Sequence, residues 1–338
     1  MKKYSGIDLH SNNSVVAIID EMGRTLYCKR LPNELAKVRE ALEPHRGELA
    51  AIAVESTYNW YWLVDGLQAA GYEVKLAHVA AMARYSGLKR RDDETDALEL
   101  AQRLRLGNLP TGYICPRAER EVRDLGRRRL QLVRDRTRHV LAVENVQARE
   151  TGTRMGANEV KRLDADAVEH FGLGADVTLG MQANVAVIQA LNAEIAKLER
   201  RILKRVRPRP EYRLLKTVPG IGRVLAPIIM LEAGSMERFK AVGNFASYAR
   251  CVDSQYTSNN KKKGEGNRRN GNKHLAWAFI EAANIAKRSC PQAKRFHERK
   301  RAKTNAVVAT KALAHKLARA SYHVLKRRKR FDAKRCFR

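Results

Sequence analysis

The chain has 338 residues, with 66 Lys or Arg against 36 Asp or Glu and a formal net charge of +30. An imbalance of this size indicates a polyanionic partner, and nucleic acid is the first candidate. The longest apolar run, residues 224–231, is far shorter than the ~20 residues that cross a bilayer, so we expect no membrane partner. The five cysteines form no CxxC pair and the N-terminus lacks a signal-peptide pattern, which predicts reduced thiols, no zinc site and a cytoplasmic protein.

The first 110 residues predict an α/β domain. Apolar runs predict strands at 4–8, 15–19, 25–28, 50–55 and 72–76. Helical spacing predicts helices at 34–42, 60–70 and 93–106, the first of them capped by Asn33. Three strands followed by alternating helices and strands favour a mixed sheet with helices on its faces.

Residues 111–210 predict a helical middle region. A highly charged stretch predicts a helix at 117–150, and a second helix is predicted at 184–206. The second helix has a narrow apolar seam, which is typical of a coiled coil. This seam fits either oligomerisation or packing of the helix on its own chain. Its residues are Val187, Leu191, Ile195, Leu198 and Ile202.

Residues 211–338 predict a third, mainly helical and very basic region. The turn at 217–222 lies between helical patterns and favours a helix-hairpin-helix element whose backbone N–H groups contact phosphate; a plain tight turn is the alternative. A polar loop over 251–274 has no apolar core and is expected to become ordered around nucleic acid. The basic helices after residue 287 predict a phosphate-binding surface. The candidate phosphate contacts of the whole chain are Arg127, Arg128, Gly220, Gly222, Lys261, Lys262, Lys263, Arg268, Arg269 and Lys273.

Four acidic residues are candidates for a metal site. Asp8 and Glu55 lie near the ends of predicted strands, and Asp93 and Asp96 lie in the first turn of a predicted helix. Carboxylate oxygens are the ligands that Mg²⁺ prefers, and Mg²⁺ beside a phosphodiester supports its cleavage. Acids in a first helical turn are also favourable to the helix dipole, which would be a purely structural role.

The motifs around these acids support a family resemblance. Gly6-Ile7-Asp8, Val54-Glu55-Ser56-Thr57, Asp93-Glu94-Thr95-Asp96-Ala97 and Pro219-Gly220-Ile221-Gly222 occur in the order seen in DEDD-type insertion-sequence transposases. The chain resembles this family over nearly its whole length. The resemblance implies a RuvC-like, ribonuclease-H-type domain at 1–110, a helical coiled-coil region at 111–210 and a C-terminal transposase domain at 211–338. It also implies a bacterial, nucleoid-associated protein.

The resemblance further implies a composite active site. The four acids would bind Mg²⁺, and a C-terminal serine would attack DNA and form a covalent phosphoserine link by transesterification. Ser258, in Gln255-Tyr256-Thr257-Ser258-Asn259, matches this serine, and Ser254 is a second candidate. The implied partners are donor and target DNA, a structured guide RNA from the same element, and further copies of the chain as a dimer or tetramer.

Two other functions compete with an RNA-guided recombinase. A junction-resolvase type of nuclease would use the same acids to activate water, without a covalent step. A non-catalytic nucleic-acid-binding protein would use the acids only to cap helices and balance charge. The covalent protein–DNA adduct distinguishes the first function from the other two.

Overall fold

The computed structural model describes residues 1–82, 92–253, 255–265 and 270–337. The chain divides into two compact units, residues 1–117 and residues 118–338. The predicted division into three segments, at 110 and 210, stays a prediction. No helix within the described ranges is both long and apolar enough to cross a membrane.

The first unit contains a five-stranded sheet in the order β3-β2-β1-β4-β5. β1 pairs antiparallel with β2 and parallel with β4, and β4 pairs parallel with β5. The mixed sheet predicted from the sequence is therefore confirmed, and it is consistent with a ribonuclease-H-type domain. The strands are β1 (Lys3–Leu9), β2 (Asn13–Ile19), β3 (Thr25–Pro32), β4 (Leu49–Glu55) and β5 (Val74–Ala77), and the helices are α1 (Leu35–Leu42), α2 (Tyr61–Ala69) and α3 (Asp93–Arg105).

The predicted cap of α1 is wrong. The helix begins at Leu35, and Glu34 occupies the N-cap position without a side-chain hydrogen bond. Asn33 instead accepts a hydrogen bond from Ser14 Oγ at 2.6 Å and donates one to the carbonyl of His10 at 3.0 Å. Its amide therefore fixes the β1–β2 turn, because β3 ends beside the start of β2 and brings Asn33 to that turn.

Helix α3 lies close to the sheet because small residues lie beneath it. A Cβ atom at Gly6 would lie 2.6 Å from the backbone nitrogen of Ala101. Ala53 and Ala17 are fully buried in the clusters that also contain residues of α3. Since alternate residues of a strand face the same side, Asp8 shares the face of Gly6, and Glu55 shares the face of Ala53. Both acids therefore belong to the face that α3 covers.

The second unit is mainly helical. A large apolar core joins its helices, and α9 is buried over its whole length. A two-stranded antiparallel hairpin is the only sheet among its described residues. The helices are α4 (Arg117–Thr151), α5 (Ala157–Val160), α6 (Ala165–Glu169), α7 (Ala175–Val206), α8 (Pro210–Leu215), α9 (Leu225–Ala233), α10 (Val242–Tyr248), α11 (Lys273–Ser289), α12 (Pro291–Lys303), α13 (Ala306–Arg327) and α14 (Ala333–Cys336), and the strands are β6 (Gln255–Ser258) and β7 (Lys261–Glu265).

The long helices α4 and α7 pack on each other as an antiparallel pair within the chain. Arg129 pairs with Glu199 at 2.7 Å, and Arg136 Nη1 donates to Asn192 Oδ1 at 2.7 Å. The buried residues of α7 are Met181, Val185, Ile188, Ile195, Ile202, Leu203 and Val206. The predicted seam is therefore shifted at its start, where Val187 is exposed and Ile188 is buried instead. Packing on its own chain accounts for the apolar stripe, and oligomerisation stays a prediction.

The polar loop predicted over 251–274 is partly wrong, because β6 and β7 form a hairpin inside it. Ser258 pairs with Lys261 across a two-residue turn, Asn259-Asn260. Both asparagines have positive φ angles, of 49° and 55°. Asparagine tolerates this left-handed conformation better than most residues, and two such residues make the type of turn that closes tight hairpins. The Asn259-Asn260 pair is the sequence feature from which this hairpin turn could have been predicted.

Candidate metal centre and nucleic-acid interface

Asp8, His10 and Asp93 form a compact group of possible metal ligands. Asp8 lies at the end of β1 and is only 3% exposed, and Asp93 is the first residue of α3. His10 Nε2 lies 3.1 Å from Asp8 Oδ2 and 3.3 Å from Asp93 Oδ2. The three ligand atoms all lie within 4.8 Å of one another. Two neighbouring ligands of an octahedral ion with bonds of ~2.1 Å are separated by about 3 Å, so this spacing suits a divalent cation.

The Nε2 atom of His10 is buried and makes no hydrogen bond within the described part of the chain, although two carboxylate oxygens are near. The backbone of His10 is held firmly, because its carbonyl accepts hydrogen bonds from Asn33 Nδ2 at 3.0 Å and Asn59 Nδ2 at 2.8 Å. A buried ring nitrogen without a hydrogen bond is costly unless another partner occupies it. A nitrogen and two carboxylates together make a donor set that fits a divalent metal ion.

Arg30 lies beside the same group. Its Nη2 donates to Asp93 Oδ2 at 2.6 Å, and its Nη1 donates to Asn13 Oδ1 at 2.7 Å. The hydrogen bond from Arg30 holds the pKa of Asp93 below its ordinary value. Asp93 is therefore ionised at neutral pH, which a metal ligand requires. Because Arg30 and His10 approach the same oxygen, the other oxygen of Asp93 is the less crowded one.

Glu55 and Asp96 lie near this group without being part of it. Ile7 pairs with Val54 in the parallel β1–β4 ladder. Asp8 and Glu55, which come next on the two strands, therefore lie at the same edge of the sheet. Asp96 lies one turn inside α3, and both residues are half-buried. Among the described residues, the close set of ligand atoms comes from Asp8, His10 and Asp93 alone. Metal binding by Glu55 and Asp96 stays a prediction.

The cap of α3 bears on the purely structural role of the acids. Asp92 is the N-cap residue, and its Oδ1 accepts hydrogen bonds from Thr95 N at 2.8 Å and Thr95 Oγ1 at 2.6 Å. The cap is therefore supplied by the residue that precedes Asp93. Asp93 instead pairs with Arg30 and faces His10.

The sequence interpretation missed His10. A usable signal exists, because Asp8 and His10 are two residues apart at the end of a predicted strand and such residues share a face. The proximity of Asp93 could not be read from the sequence, since it depends on the position of α3 on the sheet.

The close packing of α3 can be tested by replacing Gly6 with alanine. We expect a loss of about 1–3 kcal/mol in the free energy of unfolding, because the new Cβ meets the backbone of α3 at Ala97 and Ala101. We also expect weaker metal binding, since α3 carries Asp93. Urea unfolding and Mn²⁺ binding measure the two effects.

Gly47, where an added Cβ meets nothing within 4 Å, is the matched control. Equal effects of Gly6→Ala and Gly47→Ala would contradict this account of the helix position.

Two family models match the chain, and they match it in order. Residues 5–147 match a DEDD transposase model of the IS110 type, and residues 212–298 match the model described as Transposase IS116/IS110/IS902 family. All four predicted acids lie in the first match, and Ser258 lies in the second. The chain belongs to the DEDD family of insertion-sequence transposases.

Two transposases illustrate this similarity. The "Transposase for insertion sequence element IS1328" of Yersinia enterocolitica is 24% identical over 287 residues, which are 83% of this chain and 82% of that protein. A "Probable family 20 transposase" of Pseudomonas aeruginosa is 29% identical over 146 residues, which are 41% of this chain and 43% of that protein. The second similarity thus spans less than half of that relative.

The serine candidate of this DEDD transposase chain is exposed at the end of β6. Ser258 pairs with Lys261, and directly paired residues of a hairpin present their side chains on the same face. Lys261 and Lys263 are also exposed, and the backbone of Lys262 lies opposite Thr257. Ser254, Arg268 and Arg269 lie outside the described residues.

The two candidate glycines have different surroundings. Gly220 has a φ of +79°, and an added Cβ would lie 3.0 Å from the backbone nitrogen of Ala286 in α11. Gly220 therefore permits close packing of the turn on α11. Gly222 is exposed, and an added Cβ there would meet nothing within 4 Å. The helices α8 and α9 flank this turn, as the helix-hairpin-helix prediction requires.

The basic candidates on the helices also differ. Lys273, at the start of α11, is exposed, and Arg128 is exposed with a hydrogen bond to Gln131 at 3.0 Å. Arg127 instead makes two hydrogen bonds to Glu232, at 2.6 and 2.8 Å. The structure thus gives Arg127 a partner inside the second unit, and its contact with nucleic acid stays a prediction.

Glu232 is a buried acid with several partners. It is 5% exposed, and Asn272 Nδ2 donates to it at 2.7 Å in addition to Arg127. Burial by itself would raise the pKa of Glu232, but the hydrogen bonds and charge of Arg127 and the bond from Asn272 hold that pKa below its ordinary value. Asn272 also caps α11, since its Oδ1 accepts from the N–H groups of His274 and Leu275. This network joins α4, α9 and α11.

Proposed function

We propose that the chain is the transposase of an insertion sequence, which cuts and rejoins DNA under the guidance of a structured RNA from its own element. The observation that carries the proposal is the convergence of Asp8, His10 and Asp93 in the unit that matches the DEDD model. This unit would be a RuvC-like domain working on the DNA of a bacterial nucleoid. The formal charge of +30 supports a nucleic-acid substrate.

We propose Mg²⁺ as the cofactor, held by Asp8 and Asp93 with Glu55 and Asp96 as further ligands. The bound cation would neutralise charge on the scissile phosphate and favour ionisation of the attacking hydroxyl. His10 would add a nitrogen ligand. Because imidazole binds Mn²⁺ and later transition metals better than it binds Mg²⁺, His10 should let Mn²⁺ replace Mg²⁺ at this site. Arg30 keeps Asp93 ionised for binding.

Ser258 is the proposed nucleophile. Its Oγ would form an ester bond to the phosphorus of the DNA backbone. The DNA oxygen displaced from that phosphorus would take up a proton and leave as a strand hydroxyl. The exposed position at the end of β6 supports this role, because a DNA strand can reach it. Lys261 shares its face of the hairpin and would attract the phosphate. Rejoining would reverse this step. The hydroxyl of another DNA end would attack the phosphoserine ester, form the new phosphodiester and release the serine hydroxyl.

Ser258→Ala is expected to abolish the covalent protein–DNA adduct and leave DNA binding within about twofold of the wild type, because only the hydroxyl is lost. The adduct is measured by denaturing electrophoresis with end-labelled DNA. Thr257→Ala removes the neighbouring hydroxyl, also exposed, and is the matched control. An adduct that persists in Ser258→Ala and disappears in Ser254→Ala would transfer the role to Ser254. Cut strands without any adduct in the wild type would instead support the hydrolytic nuclease.

The proposed partners are donor and target DNA, the guide RNA and further copies of the chain. Exposed cations in the second unit, such as Arg128, Lys261 and Lys273, support contact with phosphates. Specificity carried by base pairing would need few base contacts from the protein. Sequencing of the nucleic acid that copurifies with the protein tests the guide: one structured RNA from the flanks of the element supports it, and random cellular RNA contradicts it. Light scattering of the purified complex tests the dimer or tetramer.

A further inference from the structure

A cavity of about 470 Å³ lies at the C-terminal end of the second unit. One face of α13 forms the first wall, with Lys316, Arg319, His323 and Arg327, which follow one another at steps of three or four residues. The second wall is the chain after α13, residues 329–336. The cavity therefore exists only because the end of the chain folds back on α13.

A tight turn produces this reversal. Arg328 has a φ of 52°, in the left-handed region. The N–H of Lys329 donates to the carbonyl of Val324 at 3.2 Å, and the N–H of Arg328 donates to the carbonyl of Leu325 at 3.4 Å. This pair of bonds is the Schellman motif, in which glycine is the usual left-handed residue. Here arginine takes that position at a conformational cost.

Two contacts hold the returning segment in place. The N–H of Phe331 donates to Thr217 Oγ1 at 2.9 Å, and Lys316 Nζ donates to the carbonyl of Cys336. Phe337 packs against Phe331 with ring centroids 6.3 Å apart. The second wall of the cavity is thus attached to the helical core and is not a free tail.

The charge of the cavity is strongly positive. Six Lys or Arg residues and a single aspartate, Asp332, line it. Asp332 is engaged as the N-cap of α14, where its Oδ1 accepts from the N–H of Arg335 at 3.2 Å. Within the described ranges, no salt bridge uses the guanidinium of Arg319, Arg327 or Arg335. The described residues therefore leave these three cations without a salt bridge.

His323 lies in the cavity, and the neighbouring positive charges affect its pKa. Burial lowers its pKa, and the charges of Arg327, Arg319 and Arg335 lower it further. The imidazole is therefore neutral at neutral pH and can donate one hydrogen bond to an anion. The arginines come from both walls, so the positive potential is greatest between the walls.

We infer that this cavity binds a backbone phosphate of a nucleic-acid strand. Arginine offers a planar pair of N–H donors that matches phosphate oxygens, and several arginines around one concavity give a site of high positive potential. The volume exceeds that of a single phosphate and admits the attached sugar. Phe331 in the lining adds a surface on which a base or sugar can pack. The inference rests on the proposed function only in taking nucleic acid as the ligand.

The test compares two triple variants of the full chain. Arg319→Gln/Arg327→Gln/Arg335→Gln removes cations from the cavity, and Arg200→Gln/Arg201→Gln/Lys204→Gln removes the same charge from exposed positions near the end of α7. The probes are a labelled single-stranded RNA and a labelled DNA duplex of random sequence. We expect the cavity variant to bind at least one probe about tenfold more weakly, with a salt dependence reduced by roughly two to three ion equivalents, and the α7 variant to stay within about threefold.

The two probes identify the source of the phosphate. A loss for RNA alone assigns the cavity to the guide strand, and a loss for the duplex alone assigns it to DNA. Inorganic phosphate that shifts the ring resonances of His323, assigned by their absence in His323→Gln, also supports the site. Unchanged affinity of the cavity variant for both probes, or an equal loss in the α7 variant, overturns the inference. Because the assay measures binding, its result does not depend on whether the protein recombines DNA.

Discussion

Asp8→Asn is expected to reduce recombination by roughly a thousand-fold or more, because the neutral amide cannot replace a buried carboxylate as a metal ligand. Losing about 4 kcal/mol of charge stabilisation in the transition state corresponds to that factor. Asp8 is 3% exposed and lies 3.1 Å from His10 Nε2, so no solvent-exposed group can substitute for it. Excision and joining of a plasmid-borne element measure the activity. Binding of Mn²⁺, followed by the electron paramagnetic resonance signal of the free ion, measures the site directly.

Asp20→Asn is the matched control. Asp20 is also buried and follows β2, but β2 runs antiparallel to β1 and brings Asp20 to the opposite end of the sheet. Its carboxylate accepts hydrogen bonds from the N–H groups of Met22 and Arg24, so Asp20→Asn should cost some stability and leave Mn²⁺ binding intact.

His10→Gln should weaken Mn²⁺ binding more than Mg²⁺ binding. If Asp8→Asn binds Mn²⁺ and recombines DNA as the wild type does, Asp8 is not a metal ligand and the proposed metal site is wrong.

Arg127→Met is expected to lower the free energy of unfolding by about 3–5 kcal/mol, because it leaves the buried carboxylate of Glu232 without its cation. Arg127 makes two hydrogen bonds to Glu232, and Asn272 supplies a third from another helix. Urea unfolding of the full chain measures the change. Arg128→Met is the matched control, since Arg128 is exposed and donates a hydrogen bond to the nearby Gln131, and it should change stability by less than about 0.5 kcal/mol.

The double variant Arg127→Met/Glu232→Leu separates this explanation from a loss of packing. Removing both charges should restore most of the stability, since no uncompensated charge remains.

The pH dependence of stability follows from the lowered pKa of Glu232. The stability from this carboxylate is present above the ordinary pKa of glutamate and is lost as pH falls through the lower pKa of the folded state. The wild type should therefore lose more stability in acid than the double variant; an equal loss would contradict the role of the pair.

The local structure was predicted well where apolar periodicity is strong. The five strands and the helix starting at Asp93 are confirmed within one to four residues. The pattern was less informative where polar side chains decide the conformation. The sequence predicts Asn33 as a helix cap, whereas its side chain fixes the β1–β2 turn. Composition predicts a loop around Asn259-Asn260, whereas these residues form the turn of a hairpin. Asparagine satisfies several kinds of backbone geometry, so its role depends on what lies nearby.

The sequence by itself predicted the five strands of the first unit, the helix at Asp93, the basic character of the chain and the candidate acids, since these follow from residue type and short-range spacing. Only the tertiary structure decided that Asp93 meets Asp8 and His10, that Arg127 neutralises Glu232 and that the end of the chain folds back to make a cationic cavity. Asp93 lies 83 residues after His10, Glu232 lies 105 residues after Arg127, and Lys316 and Cys336 of the two cavity walls are 20 residues apart, so their proximity depends on packing that no local pattern encodes. In each of the three groups the backbone brings charges close together, so partners that the sequence keeps apart become part of one electrostatic site.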